Sequence, residues 1–449
     1  MKLEVQLLIV GEDKLFYGQI SLIDTIIKIS KNKDSLTQYF NDFYKRYSEI
    51  EPQIKAFIPE KGFKERIEIE ATNLLEKCSD QDQRSIFLGI PFAVKDIIHV
   101  DGFQTCAGSK LPPNVLTKNE GSFIKKVRSM GGVIAGKTVT EEFAYHSVIP
   151  TRNPHNIKHT AGGSSAGSAA SVAAGICPIA VGTQTLRSVI APASFCGIVG
   201  FKPSYGRVPL DGFILLSPSF DTIGFFTKDI ESLQFASSHL VPDWRCFKSD
   251  KKPVLGVPNG IYMEFMFDDV KRAFEKQLIM LEKAGYIIRN VEMPWDDAFI
   301  AGDAMIRMVQ GEMAQVHSNW FNQYEHLYGS SVKDAINHGQ NVPQEELEQY
   351  RIGQKILRND LKQATIINGI DLWISPAQGG VAPKGYEKTG WSGMTAIWSY
   401  AGLPTISIPA IKINDMPLGF QCIGEYGKDE ALLFWAKEIE HSLIAGGLK

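Results

Sequence analysis

Three short patterns in this chain could carry chemistry, and each makes its own demand on the backbone. Residues 131–138 (GGVIAGKT) satisfy the phosphate-loop pattern, which needs a strand before it and a loop of free N–H groups inside it. Here the interior is the β-type run Val133-Ile134-Ala135 and a helical stretch precedes it, so the segment reads as helix, turn and strand ending in Lys137. Residues 163–167 (GSSAG) satisfy the nucleophile-elbow pattern with Ser165 as nucleophile, which needs a strand running into the serine. What precedes them, Asn153-Pro154-His155-Asn156, is a turn signal. The late histidines His317, His326, His338 and His441 lie in helix-like, polar settings, poor places for a triad base. His155 and His159 are four apart, a spacing that could put two metal ligands on one helical face. Pro154 and the lack of an intervening Glu make a polar loop the better reading, and no metal is expected.

A fourth set of residues is dispersed. Lys95 closes Gly89-Ile90-Pro91-Phe92-Ala93-Val94-Lys95, Ser164 lies in a Gly/Ser/Ala run, and Ser188 ends Gly182-Thr183-Gln184-Thr185-Leu186-Arg187-Ser188. Singly, Lys95 beside Asp96 reads as a surface ion pair and Ser188 as an ordinary loop residue. They occur, however, within GIPFAVKD, GKTVTEEFA, TRNPHN, GGSSAGSAA, a run ending in GIVGFKPSYGR, AGLPTISIP and LGFQCIG, in that order over residues 54–441. In these segments the chain resembles the amidase signature family, whose enzymes cleave carboxamides with a Ser–Ser–Lys triad. The resemblance implies that Ser188 is the nucleophile, Ser164 the relay serine and Lys95 the base. The family's spacing is met from Ser164, not from Ser165. It also implies a cis peptide bond at Gly163–Ser164, an oxyanion hole at Thr185, Leu186, Arg187 and Ser188, and substrate contacts at Gly162, Gly163, Arg187 and Trp391. No cofactor is implied.

That chemistry needs no histidine. A serine hydroxyl is a poor nucleophile without a base. A lysine ordinarily titrates near about 10.4, but burial favours its neutral form. The apolar run Phe92-Ala93-Val94 and a helix of small residues at 169–174, stopped by Gly175, are the elements expected to bury Lys95. The chain departs from the family at Leu186-Arg187-Ser188, where a glycine usually precedes the nucleophile. Glycine allows φ > 0, so Arg187 is expected to be strained there. Ile190 and Ala191 stand where the family tends to carry an arginine. Either Arg187 enters the pocket and holds an anionic group, as its planar fork suits it to do, or the oxyanion loop is deformed and hydrolysis slow or lost. Trp391, Met394 and Trp398 read as core residues; lining the pocket, they would favour an aryl or alkyl acyl group.

The elements around these residues suggest an α/β fold. Residues 5–10 read as a short apolar strand, followed by a turn around Gly11-Glu12-Asp13. Leu22, Ile23, Ile26 and Ile27 share one helical face; Leu36, Tyr39, Phe40, Phe43, Tyr44, Tyr47 and Ile50 share another, capped by Asp34 or Ser35. A third helix is expected over 60–77. Beyond Leu88 strands and helices alternate: a β-α-β unit over 254–291, a long helix over 345–365 with a strand at 372–375, strands at 406–408 and 419–423, and a closing helix over 429–442. The amidase-signature fold implied by the resemblance is a large mixed, twisted β-sheet with helices on both faces, as one large domain. Residues 1–60 are expected as a mostly helical segment packing on a signature domain over 61–449.

Composition narrows the function. Of 449 residues, 44 % are hydrophobic and 22 % charged, which excludes a disordered tail, a collagen-like fibre or a coiled coil. A net charge of −3 offers no excess positive charge for a phosphate backbone, so nucleic acid is not expected as a partner. A stand-alone hydrolase of a small-molecule amide is preferred on that ground to a component of an amidotransferase. The six cysteines lack zinc-finger spacing and read as reduced, mostly buried thiols. The apolar run at 5–10 is too short for a signal core or membrane span; no membrane association and a cytoplasmic location are expected, with a homodimer possible. The expected activity is amide C–N hydrolysis through an acyl-enzyme. The alternatives are acyltransferase or amidotransferase use of the same triad, and a binding or scaffold protein impaired by Arg187.

Overall fold

The computed structural model describes residues 8–9, 15–16, 18–30, 33–77 and 85–445. Its centre is a ten-stranded sheet. In chain order the strands are β1 (Pro91–Lys95), β2 (Val133–Thr138), β3 (Ile179–Gln184), β4 (Val199–Lys202), β5 (Thr222–Thr227), β6 (Leu255–Pro258), β7 (Ile288–Val291), β8 (Leu372–Pro376), β9 (Thr405–Ile413) and β10 (Met416–Ile423). Across the sheet they run β7-β6-β8-β10-β9-β4-β5-β3-β1-β2. The two ends, β7-β6-β8 and β3-β1-β2, are parallel, and the pairs between are antiparallel, so the sheet is mixed. Its inner strands β1, β3, β4, β5, β6, β8 and β10 are buried along their whole length, as strands covered on both faces must be, while β9 is buried only in its first half. The fold is therefore the large mixed α/β domain expected.

Two helices lie against the sheet, both buried throughout: α1 (Ala166–Ala173), made almost wholly of small residues, and α2 (Ile190–Cys196), which also carries Ile190 and Phe195. The side chains of α1 must be small. A Cβ on Gly167 would come within 2.1 Å of the Ala56 carbonyl oxygen, and one on Gly182 of β3 would meet Ser165 at 2.6 Å. The Gly/Ser/Ala run is thus a buried helix whose backbone approaches its neighbours closely, and Gly175 ends it at φ +69.

Several local expectations change. In the helix Leu22–Ile29 the buried face is Leu22, Thr25 and Ile29, while Ile27 is 54 % exposed. Thr25 can turn inward because its hydroxyl donates to the Ser21 carbonyl. The next helix begins at Lys33, so Asp34 and Ser35 lie in its first turn rather than capping it; it extends to Ile54, and its buried stripe of Leu36, Tyr39, Phe40, Phe43 and Ile50 is the one expected. The two short late strands are one hairpin, β9 to β10, turning at Asn414 and Asp415, both at positive φ. His317 is not in a polar setting: it is buried among Phe143, Trp320 and Tyr328, where burial pushes its pKa down to about 3. At the N-terminus Leu8–Ile9 pairs antiparallel with Leu15–Phe16, and the turn expected at 11–13 falls outside the described residues, as does Cys78. Cys177, Cys196 and Cys422 are buried free thiols, Cys106 is half-buried and Cys246 exposed. Among the described residues no helix is long and apolar enough to cross a membrane.

Candidate active site

Strands β1 and β3 are parallel neighbours, with Val94 opposite Val181, so their C-terminal ends open on the same edge of the sheet. Lys95 is the last residue of β1 and Thr183 lies near the end of β3. The Lys95 side-chain nitrogen is fully buried; it donates to Ser164 Oγ at 2.7 Å and to Thr183 Oγ1 at 2.9 Å. No carboxylate pairs with it among the described residues. Burial pushes its pKa down to about 7, against the opposing pull of the more distant Glu141 and Asp221 carboxylates. Lys95 does not pair with its neighbour Asp96: Asp96 is buried and pairs with Lys137, at 2.7 Å.

Ser164 follows a cis Gly163–Ser164 peptide bond just before α1. Ser165 is no exposed elbow nucleophile: its hydroxyl is buried and donates to the Thr183 carbonyl. The turn from β3 to α2 carries Thr185, Leu186, Arg187 and Ser188, and the Ser165 N–H donates to the Ser188 carbonyl at 3.3 Å, which ties that turn to Ser164's neighbour. Ser188 is nearly closed to solvent, at 7 % exposure.

This turn is held from three sides. Thr185 donates through its hydroxyl to Asp221, whose other oxygen accepts the N–H groups of Leu216 and Ser217. Burial raises the Asp221 carboxyl to about 6. Gln184 Oε1 accepts the N–H groups of Val189 and Ile190, while its amide donates to Ser399 Oγ, which in turn donates to the Leu186 carbonyl. Among the described residues no acceptor takes the N–H groups of Thr185, Leu186, Arg187 or Ser188. Such unsatisfied N–H groups in a fixed turn are what an oxyanion needs. The strain expected at Arg187 is absent: it keeps a negative φ, so its backbone has no need of glycine.

The remaining site residues separate by role. Gly162 has φ +88 and packs so closely that a Cβ there would meet Pro192 Cα at 2.7 Å. A Cβ on Gly163 would meet Glu141 and Thr389 at 2.9 Å. Trp391 forms the wall of a 410 Å³ cavity together with Leu186, Phe265, Phe267 and Met394. Trp398 belongs to the core, its indole N–H donating to Tyr262. His155 and His159 bond the carbonyls of Cys196 and Ala382. Lys137 lies within β2 and bonds Asp96 and Thr105, as a strand residue rather than a phosphate-loop lysine. Sequence reasoning did not single out Thr183, Gln184, Asp221 or Ser399; the polar run Thr183-Gln184-Thr185 at the end of an apolar strand was the available signal.

Comparison with known proteins agrees with this fold. The profile of the Amidase family matches residues 38–433, and the chain belongs to that family, the amidase signature enzymes. Among curated relatives, a glutamyl-tRNA(Gln) amidotransferase subunit from Halothermothrix orenii is 29 % identical over 466 residues, covering 92 % of this chain and 95 % of that protein. The same-named protein of Fusobacterium nucleatum is 28 % identical, covering 93 % and 95 %. Among solved structures, one described as a crystal structure of amidase superposes with a TM-score of 0.84 at 28 % identity, covering 94 % of this chain and 100 % of that one. Native peptide amidase from Stenotrophomonas maltophilia has a TM-score of 0.80 at 21 % identity over 95 % and 98 % of the two chains, a likeness of fold.

Proposed function

We propose that this protein cleaves a carboxamide C–N bond through an acyl-enzyme on Ser188. The observation that carries the reading is Lys95: a fully buried amine, hydrogen-bonded to Ser164 and to a threonine hydroxyl, with no carboxylate paired to it among the described residues. Neutral Lys95 takes the proton of Ser164 as Ser164 takes that of Ser188. Ser188 Oγ then bonds the amide carbon, and the negative oxygen is received by the N–H groups of residues 185–188. As the C–N bond breaks, the proton returns through Ser164 to the leaving nitrogen, which departs as a neutral amine or ammonia. Water, giving its proton along the same path, releases the acid and restores Ser188.

A second reading shares every step up to the acyl-enzyme. The curated relatives at 27–29 % identity are named as amidotransferase subunits, which favours a chain whose released ammonia passes to an acceptor held by partner subunits. The net charge of −3 argues against direct nucleic-acid binding by this chain, and not against a partner that carries the nucleic acid. The substrate is in either case a small amide, in a cytoplasmic setting.

Both readings are tested by assaying ammonia and carboxylate release from a panel of primary amides, with and without hydroxylamine as a competing nucleophile. Hydrolysis, hydroxamate formation and loss of both in Ser188→Ala are expected. Release that persists in Ser188→Ala would overturn the acyl-enzyme.

A further inference from the structure

Resting on the reading of Ser188 as nucleophile, a further residue bears on the choice of substrate. Arg187, immediately before Ser188, is half-buried at the junction of the nucleophile turn and the 389–392 segment. Its guanidinium donates to Thr389 Oγ1 at 3.1 Å and to Ser392 Oγ at 3.3 Å, both neutral hydroxyls. The backbone comes in close on it: a Cβ on Gly390 would stand 3.6 Å from its Nε. Among the described residues it forms no ion pair. The nearby Glu141 carboxylate is already occupied, accepting from Thr389 at 2.7 Å with His146 at 3.6 Å. Buried arginines are ordinarily matched to carboxylate or phosphate, because removing an unpaired charge from water is costly.

The position of this charge matters as much as its isolation. Ser392 also lines the 410 Å³ cavity, whose wall includes Leu186 of the nucleophile turn, the apolar groups of Trp391, Phe265 and Met305, and one carboxylate, the exposed Glu264. One cation held by two hydroxyls thus stands at the edge of an apolar chamber, next in sequence to the nucleophile. We propose that the substrate is an amide that also carries a carboxylate, and that Arg187, presented by Thr389 and Ser392, is its counter-ion. The apolar wall receives the hydrocarbon between carboxylate and amide. Arg187 is then a specificity-determining residue, a binding group gained at a position whose backbone, at negative φ, has no need of glycine.

Two measurements on the intact protein test this separately from catalysis. The first is calorimetric binding of glutarate and of valeramide to Ser188→Ala, alone and combined with Arg187→Met or Arg187→Lys. Glutarate should bind more tightly than valeramide, Arg187→Met should weaken glutarate by at least roughly 30-fold, the scale of unpairing a buried charge, and Arg187→Lys should restore part of it. The second is the ratio of kcat/KM for glutaramate to that for valeramide with Ser188 intact, which should favour glutaramate and collapse toward unity in Arg187→Met. Glutarate binding no tighter than valeramide, or unaffected by either substitution, would overturn the proposal; should Arg187→Met fail to fold, Arg187→Lys decides. If glutarate binding depends on Arg187 but no amide is cleaved, the acyl-enzyme reading fails and the anion site stands.

Discussion

Two lysines on adjacent strands meet opposite fates. Lys95 ends β1 and Lys137 lies in β2, in register one residue apart, with Val94 opposite Lys137 and Lys95 opposite Thr138. Both are buried, at 0 % and 4 % exposure. Lys137 reaches a carboxylate, Asp96, which is itself fixed by the N–H groups of Cys106 and Ala107. Among the described residues Lys95 reaches only hydroxyl and carbonyl oxygens. Burial is common to both; the partner differs. A buried ammonium with a carboxylate is an element of structure, and one without is driven toward the neutral amine that a serine needs.

The sharpest break of this contrast is Lys95→Met, which keeps volume and removes the base. Amide cleavage should fall by at least about 10³-fold while denaturant unfolding shifts by no more than about 1 kcal/mol, the worth of a hydrogen bond. A large loss of stability with little loss of rate would invert the two roles. Asp96→Ala should do the reverse, costing about 3–5 kcal/mol of unfolding free energy because it leaves Lys137 buried and unpaired; a shift below about 1 kcal/mol in the same denaturant titration would show that the pair is not structural. The pH profile follows from the sign of the shift at Lys95. The active form is the neutral amine, so kcat/KM should rise about tenfold per unit below pH 7 and level off above the lysine's pKa of about 7. A profile flat from pH 5 to 9, or one falling with pH, would remove Lys95 as the base. The smallest effect is expected from Thr183→Val, which deletes one hydroxyl from Lys95. It should slow cleavage by about 3–10-fold with the wild-type pH profile otherwise kept.

How much of this could be read from the chain differs by residue. Lys95, Ser164 and Ser188 were legible because each lies in a local segment resembling the amidase signature family, and the helix at α1 because its small residues end at a stop glycine. The β9–β10 hairpin reads as two short strands because Pro409 and Pro417 interrupt both; the pairing continues past them through a register shift between Pro409 and Ile411. The supports of the nucleophile turn were not legible. Gln184 meets Ser399 across 215 positions, and Thr185 meets Asp221 across 36. A polar residue inside an apolar run looks alike whether it is satisfied in the core or holds a site. Arg187 stands out in the sequence for backbone strain; its negative φ moves its significance from the backbone to the side chain. The near-neutral charge counts against direct nucleic-acid contact, and it carries no information about protein partners.

The central claim is that Ser188 is activated and faces a working oxyanion turn. It is tested most directly by intact mass after exposure to a small fluorophosphonate, for wild type, Ser188→Ala and Lys95→Met. The account predicts a single adduct on wild type, none on Ser188→Ala and a strongly slowed reaction in Lys95→Met. No adduct on folded wild type, or an adduct that survives Ser188→Ala, would contradict it.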